Sequence, residues 1–422
     1  WMVKTRDGYF SITANARDKI HFVSGLTTFD VEQFFETFFR PDLLPSLYKN
    51  RGAGTPQKTL QGKLQSSPPP DVRVAVLPAA DGKRAEVFVR ITERGGGIDE
   101  VKLLHNGKSI ALSKPPERKK YKKDEQVIVK EEIALVGGEN TFSASAFNLD
   151  RVESATHSMS VVAEVPMKPG TCHLFVVGIN KYKNSKLELN YARPDAESFK
   201  KVLMENTKGI FKSLEVHALY DEDASKANIL QTLDKLAAQV KPEDVFIFYY
   251  AGHGSMADNR FFFIPSESIR LYDIKSLEKE AIPASMLQEK FRNIAALKQM
   301  IIMDACQSGG SVELLATRGA AEEKAIAQLS RSAGIHVLAS AGSEQFATEF
   351  AELGHGLFTY VLIKALHGAA DGAPLDGKVT IYELKSYLDD QVPEMTRQLK
   401  GKPQYPFTFS RGQDFPVILK EE

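Results

Sequence analysis

From His173 onward, short apolar runs alternate with amphipathic segments, and this alternation constrains the fold more than any other feature of the chain. The runs read HLFVVGI, SLEVHALY, DVFIFYY, QMIIMDA and GIHVLAS, and helical patterns separate them. A chain that repeats strand and helix in this way forms a parallel sheet with helices on both faces. The pattern also predicts a helix over roughly 380–399 and a late strand at QYPFTFS, which we expect at the antiparallel edge.

Reactive residues follow two of these runs. His253 stands between Gly252 and Gly254 after DVFIFYY, and Cys306 follows QMIIMDA. The carboxyl ends of parallel strands share one edge of a sheet, so we expect the two side chains to emerge together. An imidazole can take the proton of a thiol and later protonate a departing amine. The pattern predicts a cysteine peptidase site, with the N–H groups of Gly254 and Cys306 stabilising the oxyanion.

Each residue alone favours a simpler interpretation, because a lone strand-end cysteine is usually a small buried apolar group. Residues 171–412, however, resemble the caspase-like cysteine peptidases, in particular their bacterial and metacaspase-type branch. The matching text is HLFVVGINKY with PDA downstream, FYYAGHG, IIMDACQSGG and HGLFTYVLIKAL. The resemblance implies an α/β caspase-like domain with a six-stranded sheet whose last strand is antiparallel. It also implies a dyad of Cys306 and His253, and no cofactor.

Asp304 and Asp195 bear on specificity. True caspases carry QAC at the nucleophile, whereas this chain carries DAC. In metacaspase-like enzymes, carboxylates at the matching positions select Arg or Lys before the cleaved bond, and two converging carboxylates suit a desolvated cation. Alternatively, Asp195 caps the following helix and Asp304 orients the nucleophile turn. Because of Arg193, a second specificity remains open, that of a protease that prefers Asp before the cleaved bond. Arg193 could pair with a pocket carboxylate or attract an acidic substrate side chain.

The segment after GIHVLAS resembles the region where these enzymes pair with an extended substrate. Strand addition there would bind substrate through backbone hydrogen bonds. The predicted substrate-binding residues are Gln345, Phe346, Ala347 and Thr348.

Residues 311–334 form a long connection between two strands of the predicted sheet. Connections of this length are commonly functional, so we expect a mobile loop that is cut during maturation. The processing candidate is Arg318, because the glycine after it permits the extended geometry that a protease groove needs. The Ala, Glu, Lys and Leu content also fits a short helix.

Two regions precede the α/β domain. Residues 1–65 contain the amphipathic helix candidate DVEQFFETFF and a linker, and a chain that begins with Trp suggests that a larger N-terminal region has been removed. Residues 71–165 alternate in short β-rich runs between turn signals, which predicts an antiparallel sandwich of immunoglobulin type. We expect this domain to bind substrate or a regulatory protein.

Composition excludes several classes of function. Lys and Arg total 54, as do Asp and Glu, so the basic excess of a nucleic-acid-binding protein is missing. The sequence predicts no membrane span, and its two cysteines, Cys172 and Cys306, suggest a reducing, cytoplasmic setting. Nine histidines and two distant cysteines offer no zinc spacing. Calcium activation is possible without a clear site, because 221–225 fits helix capping and 371–384 lacks oxygen ligands.

Two classes of function compete. The first is an endopeptidase that cleaves proteins after Lys or Arg. The second is a catalytically silent caspase-like interaction module, which the presence of both Cys306 and His253 disfavours.

Overall fold

The computed structural model describes most of the 422 residues. It does not describe residues 1, 14–15, 17–18, 25–26, 42, 44–59, 259, 270–273, 308–311, 341–348, 351–353, 402 and 421–422. At 24, 306–307, 312–321, 349–350 and 400 it describes the backbone only. The chain divides into two compact units, Trp1–Met167 and Lys168–Glu422.

The first unit opens with short elements. They are β1 (Met2–Lys4), β2 (Phe10–Ile12), β3 (His21–Ser24), β4 (Thr27–Asp30), a 3-10 turn (Val31–Phe34), α1 (Phe35–Phe38) and α2 (Leu60–Ser66). The predicted apolar face of DVEQFFETFF is buried, comprising Phe34, Phe35, Phe38 and Phe39. Gln33 Nε2 donates to Glu153 O at 3.0 Å, so this segment packs on the β-rich part of its own unit.

Seven strands make up that β-rich part. They are β5 (Asp71–Pro78), β6 (Arg84–Thr92), β7 (Val101–His105), β8 (Lys108–Ile110), β9 (Gln126–Ala134), β10 (Gly138–Ala146) and β11 (His157–Ala163). They form two antiparallel sheets, in the orders β5-β6-β9 and β11-β10-β7-β8. Alternate residues such as Val87, Val89, Leu103 and Phe142 fill one core between the sheets. The alternation of inward-facing and outward-facing residues that the sequence predicted for these strands is therefore present.

The second unit alternates strands and helices. Its strands are β12 (Thr171–Gly178), β13 (Ser213–Tyr220), β14 (Val245–Ala257), β15 (Arg260–Phe263), β16 (Ile282–Pro283), β17 (Lys298–Gln307), β18 (His336–Ala339), β19 (Glu349–Phe350), β20 (His355–Gly356), β21 (Lys378–Thr380), β22 (Phe407–Phe409) and β23 (Pro416–Leu419). Its α-helices are α3 (Ala192–Asn206), α4 (Lys226–Gln239), α5 (Ile274–Glu280), α6 (Ala284–Asn293), α7 (Val312–Ala333), α8 (Leu357–Lys364) and α9 (Ile381–Lys400). A π-helical turn (Ala365–Ala369) continues α8.

The main sheet has the strand order β13-β12-β14-β17-β18-β22, parallel except for β22, which runs antiparallel to β18. These six strands and the antiparallel edge match the expectation. Two short antiparallel strands, β15 and β16, extend the sheet beyond β14 and make it mixed, with eight strands. The sequence pattern missed them because they are only four and two residues long.

Helices cover both faces of this sheet, as predicted. Along β14, Phe246, Phe248 and Tyr250 enter the core that α4, α6 and α7 cover. Tyr249 and its neighbours at positions 245 and 247 enter the core under α3, α8 and α9. Both cores need apolar residues, so the strand reads as a continuous apolar run. No helix within the described part of the chain is long and apolar enough to span a bilayer.

The predicted mobile loop at 311–334 is wrong in its conformation. Residues Val312–Ala333 form the helix α7. Ile326, Leu329 and Ala333 are buried in the core, and the Ala and Glu content favours helix, so one apolar stripe orders the segment. Arg318 lies within this helix, in the part where only the backbone is described.

Candidate active site

The register of two neighbouring strands brings the predicted dyad together. In the parallel pairing of β14 with β17, His253 is the partner of Cys306, and Ala251 is the partner of Asp304. Paired strands lie about 4.8 Å apart, so the backbones of His253 and Cys306 are direct neighbours. The sequence predicted adjacent strands, whereas the exact pairing of His253 with Cys306 comes from the structure.

Two tyrosine hydroxyls and a carbonyl group hold His253, which is 4% exposed. His253 N donates to Tyr182 Oη at 2.8 Å, and Tyr250 Oη donates to His253 O at 2.8 Å. His253 Nε2 lies 2.8 Å from Leu187 O. A carbonyl oxygen only accepts, so Nε2 carries a proton and, in the neutral ring, Nδ1 carries the lone pair. An imidazole in this tautomer can act as a base at Nδ1.

The glycines on either side of His253 are required by packing. A Cβ at Gly252 would lie 2.9 Å from Tyr182 Oη, and a Cβ at Gly254 would lie 2.5 Å from Phe261 Cζ. Any larger residue would push these rings away and displace the histidine. The oxyanion role of Gly254 and Cys306 stays a prediction.

The two predicted pocket carboxylates converge on one point. A Cβ at Gly356 would lie 3.0 Å from Asp195 Oδ2 and 3.2 Å from Asp304 Oδ2. Asp195 Oδ2 accepts from Gly356 N at 3.1 Å, and Asp195 Oδ1 lies 2.7 Å from His355 Nδ1. Asp195 sits inside the first turn of α3, whose N-cap is Tyr191, so it does not cap that helix as the alternative required.

Both carboxylates are buried, at 3% exposure for Asp195 and 6% for Asp304. Burial raises the pKa of Asp195 to about 7; the hydrogen bond from His355 opposes this rise and the charge of Asp304 adds to it. Burial also raises the pKa of Asp304, although Thr359 Oγ1 donates to its Oδ2 at 2.6 Å. Desolvated carboxylates of this kind gain more from a cation than exposed ones do.

Arg193 does not pair with either pocket carboxylate, so that part of the alternative is wrong. Its Nη1 donates to Asp221 Oδ2 at 2.8 Å, and its Nε donates to Glu197 Oε1 at 2.9 Å. Asp221 Oδ1 also accepts from the backbone N–H groups of Asn180 and Lys181. The carboxylate thereby ties the loop after β12 to the start of 221–225.

Helix capping explains the end of that segment. Ser225 is the N-cap of α4 and accepts from Asn228 N at 3.2 Å. The structure therefore contains the helix cap that the sequence predicted for 221–225 as the alternative to calcium binding.

Several predicted residues cannot be placed. Gln345, Phe346, Ala347 and Thr348 lie outside the described residues, as do the side chains of Cys306 and Arg318. Conversely, sequence reasoning missed Tyr182, His355 and Thr359. Their signals are INKY, which follows β12, and HGLFTY, which leads into the first turn of α8.

Tyr182 supports His253 twice, through its hydroxyl and through ring centroids 5.0 Å apart. We expect Tyr182→Phe to lower kcat about tenfold with little change in KM, because the ring stays while the backbone N–H of His253 loses its acceptor. Steady-state kinetics with a fluorogenic peptide check this, and Tyr405→Phe, which changes an exposed tyrosine, is the matched control. A kcat within twofold of the parent would contradict the positioning role.

Comparison with known proteins identifies the family of the second unit. The family model of the caspase domain, peptidase C14, matches residues 171–413. Metacaspase-1 of Plasmodium falciparum (isolate 3D7) is 26% identical over 162 residues, which are 33% of this chain and 24% of that protein. The match thus spans about a quarter of the curated relative.

Solved structures are similar at low identity. A Geobacter sulfurreducens protein has 17% identity and a TM-score of 0.41, covering 60% of this chain and 98% of its own. The Drosophila initiator caspase Dronc has 7% identity and a TM-score of 0.38, covering 58% and 82%. Caspase-1 from Spodoptera frugiperda has 14% identity and a TM-score of 0.34, covering 58% and 89%. Because the family model covers more than half of its residues, the chain belongs to the caspase-domain family of cysteine peptidases.

Proposed function

We propose that this chain is a cysteine endopeptidase that cleaves protein substrates after Lys or Arg. The observation that carries the proposal is the register of His253 with Cys306, beside two buried carboxylates that converge at Gly356. The test is a panel of fluorogenic peptides with Arg, Lys or Asp before the cleaved bond, run with and without calcium. Preference for Asp would overturn the specificity, and calcium dependence would reveal an activation that no clear sequence site explains.

In this proposal His253 Nδ1 takes the proton of the Cys306 thiol, and the thiolate attacks the substrate carbonyl carbon. The N–H groups of Gly254 and Cys306 stabilise the oxyanion that forms. The C–N bond then breaks as the imidazolium protonates the departing amine. Water, deprotonated by His253, hydrolyses the thioester and releases the acid, and the thiol regains its proton.

Asp195 and Asp304 supply the proposed specificity. In the absence of a cation their ionised forms are disfavoured by burial, as their raised pKa values express. A guanidinium or ammonium group that enters between them offsets this cost with charge-assisted hydrogen bonds.

The raised pKa of Asp195 predicts a pH-dependent specificity. Below about pH 7 Asp195 is protonated and attracts a cation less, so kcat/KM for an Arg peptide should fall as pH decreases through this value. The readout is the ratio of kcat/KM for an Arg peptide to that for its neutral citrulline analogue, in which titration of the dyad cancels. We expect this ratio to drop about tenfold from pH 8 to pH 6. Asp195→Asn should flatten it, and a ratio constant with pH in the parent would contradict the assignment.

Maturation by a cut at Arg318 remains part of the proposal, although the bond lies in a helix rather than a loop. A protease groove binds extended backbone, so α7 must first unwind around this residue. We expect the active enzyme to cut there slowly, and sequencing the new N-termini after incubation, with Cys306→Ala as the inactive control, checks this. Full peptidase activity with α7 intact would show that this cut is not required.

The proposal extends to the rest of the chain. The two antiparallel sheets of the first unit would be an immunoglobulin-type sandwich that binds a regulatory protein or substrate. The scarcity of cysteine favours a cytoplasmic setting.

A further inference from the structure

Two histidines and a glutamate meet near the amino ends of β12 and β13. His173 pairs in register with Glu215, and His217 follows two residues later, so the three lie on the same face of the sheet. One ligand atom from each residue lies within 4.8 Å of the other two. His173 also pairs with Phe246, seven residues before His253 on β14, which places this group roughly 23 Å from the dyad.

Two ring nitrogens in this group, His173 Nδ1 and His217 Nε2, are buried and have no hydrogen-bond partner among the residues that the structure describes. His173 is only 4% exposed, so water does not readily reach its ring. Buried polar atoms are nearly always paired, and an unpaired imidazole nitrogen is the atom that a transition metal binds. Glu215 Oε2 lies 3.4 Å from His173 Nδ1.

A second carboxylate, that of Asp244, lies near the other ring nitrogen of His173. Asp244 Oδ2 lies 3.4 Å from His173 Nε2, and Asp244 is 6% exposed. The backbone N–H groups of Thr171 and Lys241 donate to Asp244 at 2.8 and 2.9 Å and hold it in place. A carboxylate in this position keeps the proton of a metal-binding histidine on the outer nitrogen and directs the other nitrogen at the ion.

We propose that His173, Glu215 and His217 bind a zinc ion. Two imidazoles and one carboxylate form a donor set that suits zinc, with a fourth position for water or a partner's side chain. In a tetrahedral site, zinc bonds of about 2.0–2.2 Å place two ligand atoms about 3.5 Å apart. The three ligand atoms, which now lie within 4.8 Å of one another, must therefore move closer by about 1 Å when the ion binds. The Glu215 side chain is 55% exposed and can make that adjustment.

Burial lowers the pKa of His217, and the positive charge of Lys235 on α4 lowers it further. The Lys235 side chain is exposed, so it can turn into solvent when the ion binds. The zinc ion joins β13, the edge strand of the sheet, to β12. Sequence spacing missed this group because its ligands come from two strands about 40 residues apart, 173 against 215 and 217.

The experiment uses the full chain carrying Cys306→Ala, which removes zinc binding by the nucleophile. Zinc chloride is titrated in competition with a chromophoric chelator, and we expect one ion per chain and a rise in Tm. His217→Gln in the same background should weaken binding at least 30-fold, whereas His367→Gln, which changes an exposed histidine elsewhere, should not.

Circular dichroism melting without zinc verifies that His217→Gln folds. If it does not fold, Glu215→Gln serves as the second variant, because that side chain is largely exposed. Absence of zinc uptake by the Cys306→Ala chain, or unchanged affinity in the folded variant, would overturn the proposal. Since binding is measured without peptidase activity, either result leaves the proposed function untouched.

Discussion

Cys306→Ala is expected to lower kcat by a factor of about 1,000 or more while leaving the melting temperature unchanged, and His253→Ala is expected to lower kcat to the same extent. The thiolate and its proton partner act as one unit, so losing either removes nucleophilic catalysis. Peptide turnover by purified protein is the measurement. His253→Ala should also lower the free energy of unfolding by about 1–3 kcal/mol, because Leu187 O loses its buried donor.

Cys172 provides the matched control. It is fully buried in β12, and burial raises the pKa of its thiol well above the usual range. An alkylating reagent should therefore label Cys306 and spare Cys172 in the folded protein, and Cys172→Ala should keep its activity. More than a few per cent of parental activity in Cys306→Ala would exclude it as the nucleophile. These comparisons require a parent enzyme with full peptidase activity. If the parent cleaves no peptide, the catalytically silent interaction module is favoured.

Asp304→Asn is expected to weaken the preference for Arg and Lys peptides by about 2–5 kcal/mol, roughly 30-fold to several thousand-fold in kcat/KM, as for loss of a desolvated charge partner. Asparagine keeps one acceptor oxygen for the Thr359 hydroxyl, so the change removes the charge and replaces the other acceptor oxygen with an amide donor. The measurement is the ratio of kcat/KM for Arg and citrulline peptides. Asp244→Asn, which changes an equally buried aspartate near the other end of the strands, should leave that ratio unchanged.

Stability separates this effect from unfolding. The pKa of Asp304 is raised in the folded state, so its protonated form stabilises the fold at low pH and this contribution is lost as pH rises through the raised pKa. Asparagine remains neutral throughout, and Asp304→Asn should therefore melt no lower than the parent at pH 8. A variant that melts normally and retains its Arg preference would assign Asp304 to orienting the nucleophile turn.

The sequence alone determined the layers of the second unit. Apolar runs such as DVFIFYY must be buried on both faces, and the only regular element that buries alternate residues in two cores is a covered strand. Placement of His253 and Cys306 toward one sheet edge followed from the same pattern, because each residue follows an apolar run and lies toward the carboxyl end of its strand. These inferences hold because they depend on local periodicity and on the direction of parallel strands.

Tertiary structure decided what depends on register and on distant partners. Whether Asp195 capped a helix or faced Asp304 could not be read from its neighbours, since Gly356, more than 150 residues away, brings the two carboxylates together. The sequence also left open whether 312–333 forms a helix or a loop, because its composition permits both. The helix forms where the apolar stripe of Ile326 and Leu329 packs against the sheet. Likewise, His173 meets Glu215 and His217 only through the pairing of β12 with β13. Side chains that act together across strands are joined by packing, which no local pattern of the sequence records.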